Sequence, residues 1–190
     1  MKLVLRTLLA SVLITATGCT SIIAASTDGP IENDEPGRTF GRFIDDEQIE
    51  TVIGVNIAHS SEALADANIS VVSYNGVVLL VGQVPNNAMR ARLSEIAQEV
   101  KGVRQVHNQV TVGGEISSLA SINDSLITSN VRTRFLVDDS DVDFSDIKVV
   151  TENGVVYLMG VVNERDADVA VDIARQAGGV QRIVKVFEYF

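Results

Sequence analysis

Apolar residues recur four positions apart at Ile49, Ile53 and Ile57 and again at Ile127, Val131 and Phe135, a spacing that lines one face of a helix. Each series is followed by two short apolar runs broken by the same dipeptide: ISVVSYNGVVLLVGQV at 69–84 and IKVVTENGVVYLMGVV at 147–162. Asn-Gly tolerates positive φ at both central positions of a type I′ turn, so Asn75-Gly76 and Asn153-Gly154 predict β-hairpins. A second helix is expected over 87–100 and over 164–177, ended by Gly102 and by Gly178-Gly179. A last strand follows each, at 103–112 and 180–189.

The two halves are one unit written twice. NGVVLLVGQV (75–84) lies over NGVVYLMGVV (153–162) at an offset of 78, and Ile49, Ile53 and Ile57 fall on Ile127, Val131 and Phe135. GVRQVHNQV (102–110) lies over GVQRIVKVF (179–187) with the offset shortened by one. The predicted class is therefore α+β: two tandem αββαβ domains at 46–112 and 122–190, joined by a linker at 113–121, each with a three-stranded mixed sheet covered by two helices. The crossover makes strand three parallel to strand two or to its neighbour in a mixed sheet, and pairing with strand one is favoured. Asn123 or Asp124 is the expected N-cap of the first helix of copy two.

Composition changes the picture at the N-terminus. Residues 1–18 have the form of an export signal, with Lys2 and Arg6, an apolar stretch from Leu8 to Ala16 shorter than the ~20 residues that span a bilayer, and the small pair Thr17-Gly18. Ala16-Thr17-Gly18-Cys19 resembles the lipobox of bacterial lipoproteins, which implies acylation of Cys19, the single cysteine of the chain. The same resemblance implies sorting to the outer membrane, because Thr20 stands where many inner-membrane lipoproteins carry aspartate. One cysteine allows no internal disulfide. From 19 to 45 the sequence is small, acidic and broken by Pro30 and Pro36, and reads as a lipidated flexible tether. Removing the leader takes two of the 15 basic residues and leaves 13 against 25 acidic, a net charge of −12. That balance opposes nucleic acid and any general attraction to anionic surfaces.

The glycine-bearing hairpin NGVVLLVGQV and the later Gly-Val turn into the last strand resemble the BON domain, and two such modules behind a lipobox resemble the dual-BON lipoproteins of Gram-negative bacteria. The resemblance covers almost the whole mature chain. It implies a non-enzymatic, periplasm-facing lipoprotein in the inner leaflet of the outer membrane, one that preserves envelope integrity and gathers at the division site. It also implies binding of anionic phospholipid, phosphatidylglycerol or cardiolipin, through the first helix of the second domain. The family motif has tryptophan where this chain has Leu126, while Val131, Arg132 and Leu136 match it.

Duplication separates shared positions from divergent ones. Ile127, Val131 and Phe135 are apolar in both copies and are assigned to the core. Leu126, Thr133, Leu136 and Val137 cluster on the opposite face at ~100° per residue, where copy one has Gln48, Val55, Ala58 and His59. Arg132 and Arg134 replace Gly54 and Asn56 beside it. Apolar side chains flanked by arginine suit an interfacial helix, so Leu126, Val131, Arg132, Thr133, Leu136 and Val137 form the candidate phospholipid site, Val131 on the family match alone. Two alternatives use the same face: packing of Leu126, Leu136 and Val137 against copy one, or an envelope protein partner that makes the chain an adaptor.

No catalytic, cofactor or metal site is expected. The run Asp138 to Asp143 begins like a calcium loop, but Phe144 stands where the turn needs glycine and Val150 where the bidentate glutamate belongs. His59 and His107 lie in different elements with no cysteine to join them.

Overall fold

The computed structural model describes residues 38–113 and 118–190. In chain order these form α1 (Phe40–Ser60), α2 (Glu62–Ala65), β1 (Ile69–Tyr74), β2 (Val77–Val84), α3 (Asn87–Gln98), β3 (Gln105–Asn108), β4 (Thr111–Val112), α4 (Ser118–Val137), β5 (Lys148–Glu152), β6 (Val155–Val162), α5 (Glu164–Arg175) and β7 (Arg182–Tyr189). The αββαβ order repeats as expected. Both Asn-Gly pairs form the expected turns, with φ of 52° and 77° at Asn75 and Gly76 and 53° and 74° at Asn153 and Gly154.

Both first helices begin earlier than the sequence pattern suggests. Thr39 caps α1, its Oγ1 accepting from Arg42 N at 3.3 Å, so residues 40–45 of the segment read as tether are helical. In copy two α4 starts at Ser118, inside the segment read as linker. Asp124 is therefore no N-cap: it sits in the second turn of the helix and is buried.

Strand three pairs with strand two, not with strand one. β2 runs parallel to β3 through Val77↔Gln105 to Leu80↔Asn108, and β6 parallel to β7 from Val155↔Arg182 to Val162↔Tyr189. A 12-residue crossover helix spans about 18 Å, enough to return the chain to the start of its own strand, and the central position gives the most apolar strand a hydrogen-bonded neighbour on each edge. The orders are thus β1-β2-β3 and β5-β6-β7, with β4 continuing the line of β3 beside β2.

Three apolar cores result. Val78, Leu80 and Val84 of β2 pack under Ile49, Ile53 and Ile57 of α1 and Leu93, Ile96 and Ala97 of α3. Val156, Leu158 and Val162 of β6 do the same beneath Ile127, Val131, Phe135 and the inner face of α5, joined by Val142 and Phe144 from the acidic loop. The third core lies between the domains, where Val77, Leu79 and Val81 on the other face of β2 meet Tyr157 and Met159 of β6 and Val186 of β7. The sheets therefore pack on each other through their inner faces while their helices lie outside. Two polar clasps flank it: Lys148 Nζ bonds Glu50 Oε1 at 2.9 Å, and Glu188 takes both Arg104 and the Asn75 Nδ2 donor, the latter at 3.0 Å.

Gly82 sits at φ +125°, where a Cβ would lie 2.1 Å from the Asn68 carbonyl oxygen. Gly82→Ala is expected to cost about 1–3 kcal/mol in urea unfolding. Parent-like stability would mean that the 67–69 backbone can step aside.

Candidate functional site

The inner face of α4 fixes the direction of everything else on it. Ile127, Val131 and Phe135 are buried, and the Phe135 ring stacks on Phe144 at 4.6 Å between centroids. From below, the Asp124 carboxylate accepts Asn153 N at 2.7 Å and Gly154 N at 2.8 Å, tying the helix to the hairpin turn. Asp46 does the same in copy one and takes more: Asn75 N and Gly76 N at 2.8 Å, Ser73 Oγ at 2.7 Å and Arg38 Nε at 2.9 Å. Burial alone would raise the Asp46 carboxyl, but the bonds from Ser73, Gly76 and Asn75 and the charge of Arg38 outweigh it and hold it below its ordinary value.

With that face pinned, the opposite one points outward. Leu126 is 63% exposed, Leu136 86% and Val137 70%. Thr133 stands among them, its hydroxyl donating to Ser129 O at 2.8 Å. Packing of Leu126, Leu136 and Val137 against copy one is excluded, because the domains meet through their sheets. Ile122, the first residue of the predicted second domain, is exposed one turn before Leu126 and extends the stripe; the i, i+4 step back from Leu126 was the signal for it.

Val131 does not belong to this surface. It is fully buried in the second domain's core, because it lies four residues from both Ile127 and Phe135, so its match to the family motif reflects packing. Arg132 is exposed and reaches the Val149 carbonyl oxygen at 3.3 Å. Arg134 is half-buried, which leaves Arg132 as the cation beside the stripe. A groove of about 550 Å³ runs along α4, lined by Asp124, Thr128, Arg132, Thr133, Leu136 and Glu152. Burial, and then the neighbouring Asp124 charge, push the Glu152 carboxyl above its usual range.

In the acidic loop Asp138 and Asp143 accept Ser140 N and Ser145 N at 2.9 and 2.8 Å. These carboxylates shape the loop that delivers Val142 and Phe144 to the core. Among the described residues no cluster of His, Cys, Asp and Glu has the geometry of a metal site, and no helix is long and apolar enough to cross a membrane. Cys19 lies outside the described residues.

The BON domain family model matches residues 45–114 and 123–189. The chain is 40% identical over 152 residues to the outer membrane lipoprotein DolP of Haemophilus influenzae, covering 80% of this chain and 78% of that one. It is 34% identical, with the same coverage, to a 21 kDa hemolysin of Actinobacillus pleuropneumoniae. To osmotically-inducible protein Y of Escherichia coli it is 29% identical, over 94% of this chain and 92% of that one. With a duplicated αββαβ fold and a family match to each copy, the chain belongs to the BON-domain family.

Proposed function

We propose that the protein is a periplasm-facing lipoprotein of the outer membrane, held by an acyl group on Cys19, whose second domain docks on anionic phospholipid through α4. Phosphatidylglycerol or cardiolipin is the lipid, and the docking helps maintain envelope integrity, at the division site. The observation that carries this reading is a rigidly seated helix presenting Leu126, Leu136 and Val137 to solvent beside Arg132. A net charge of −12 for the mature chain repels an anionic surface as a whole, so apolar insertion must supply the affinity and Arg132 the headgroup contact. At about 0.8 kcal/mol per buried CH₂, one fully inserted leucine contributes roughly 3 kcal/mol.

The test is co-sedimentation of the Thr20–Phe190 chain, which retains all three cores, with phosphatidylglycerol vesicles and with zwitterionic ones. The parent binds the anionic vesicles selectively. Leu126→Glu weakens binding at least tenfold, which is about 1.4 kcal/mol, without loss of stability, and Arg132→Glu removes the preference for anionic lipid. No binding by the parent leaves membrane attachment to Cys19 alone and makes the α4 face a protein-docking surface.

A further inference from the structure

We infer that Phe40 and Phe43, in the first turn of α1, are a second insertion point on the same membrane-facing surface as α4, so that both domains grip one bilayer. The inference rests on the docking reading above and adds to it residues of the first domain.

Phe40 is 74% exposed and Phe43 42%, an unusual placement for two neighbouring aromatic side chains on a folded surface. They are held there. Their rings stack at 6.5 Å with an interplanar angle of 18°, and the Arg38 guanidinium, paired with Asp46 at 2.9 Å, covers Phe43 at 4.8 Å from the ring centroid. The fold does not require them, because the positions 78 residues on are Ser118 and Ser121. Copy two carries its exposed leucines farther along its helix, Leu126 near the middle and Leu136 at the far end, where copy one has Gln48 and Ala58. Each copy has thus gained apolar side chains that the other lacks.

The two gains meet. Phe40, Phe43, Leu136 and Arg132 line one cleft of about 950 Å³, so a surface that receives Leu136 is presented to the phenylalanines as well. The occupant is a bilayer because of where the chain comes from: α1 begins 21 residues after Cys19, which makes its first turn the part of the folded protein nearest in sequence to the acyl anchor. Three carboxylates, Glu47, Asp143 and Asp146, share the cleft with Arg38, Arg132 and Lys148. No excess of positive charge is available there, so the aromatic rings must contribute by entering the acyl region.

The chain contains no tryptophan, which allows single-tryptophan reporters. Phe40→Trp, Leu136→Trp and a control, Val112→Trp, are mixed with phosphatidylglycerol vesicles carrying bromine on the acyl chains. Val112 pairs beside Val84, at the end of β2 away from the turn that α1 touches. The expected result is a blue shift and at least twofold quenching at positions 40 and 136, and neither at 112. Quenching at 136 without quenching at 40 overturns this inference and leaves docking through α4 standing. Quenching at neither position overturns both. As a second measurement, the paired change Phe40→Ser and Phe43→Ser, which installs the residues of copy two, lowers vesicle affinity about tenfold with an unchanged urea midpoint; unchanged affinity overturns the inference.

Discussion

Asp46→Ala should destabilise the protein by about 3–5 kcal/mol, the range for removing one partner of a buried, hydrogen-bonded ion pair. The carboxylate is 1% exposed and takes four donors from three separate segments: Arg38 before α1, Ser73 at the end of β1, and both turn amides at Asn75 and Gly76. Alanine leaves the amides and the Ser73 hydroxyl inside the protein without their acceptor, each a desolvation cost with no return. Asp46→Asn should be little better, since its amide points donors at donors. Asp124→Ala removes the acceptor of only two amides and should cost about 2 kcal/mol. Urea unfolding of the three variants measures the order, and equal losses at 46 and 124 would refute the role given to Ser73 and Arg38. The pH dependence follows from the direction of the shift. Because the folded carboxyl titrates below its ordinary value of 3.8, the stability it confers is complete above the unfolded value. It is lost as pH falls through the folded one, so the parent loses stability below about pH 4 and Asp46→Asn loses less there.

Much of this architecture was legible because it was written twice. The 78-residue offset, the Asn-Gly turns and the Ile49–Ile53–Ile57 and Ile127–Val131–Phe135 stripes located both domains and both inner helix faces, and they oriented Leu126, Leu136 and Val137 outward. Other features were present in the letters but were outweighed by local composition. Pro36 and Gly37 hid the start of α1, and with it Phe40 and Phe43, inside an apparent tether; the capping residue Thr39 was the signal. Asp46 and Asp124 fall at the same offset of 78, yet a helix-borne aspartate that serves a turn 30 residues away has no local signature. The pairing of β3 with β2 depends on where the crossover helix returns the chain, which periodicity does not encode. Val131 shows the opposite hazard: a position that matches a binding motif was already assigned to the core by its own helical phase.

The second large effect is expected at the seam between the sheets, which the sequence announced without being read. Residues 77–81 (VVLLV) and 155–159 (VVYLM) do not alternate polar with apolar as a sheet with one wet face does; an unbroken apolar run means both faces are covered. Leu79 is fully buried and faces Tyr157, Met159 and Val186 across the seam. Leu79→Ala should cost about 2–5 kcal/mol. Leu79→Asp places a carboxylate among apolar side chains with no partner and should part the two domains while leaving the cores under α1 and under α4 intact. The parent should unfold in one urea transition because the shared core couples the domains, and Leu79→Asp should unfold in two. An independent optical readout exists, because burial foremost holds the phenols of Tyr74 and Tyr157 above their ordinary value of 10.0. In Leu79→Asp their ionisation should return toward that value in alkaline titration. A single transition with unmoved tyrosines would mean that the domains are held by the Lys148–Glu50 and Arg104–Glu188 clasps alone. Opening the seam also separates Phe40 from Leu136, so vesicle binding by Leu79→Asp should fall even though every residue of the docking face remains in place.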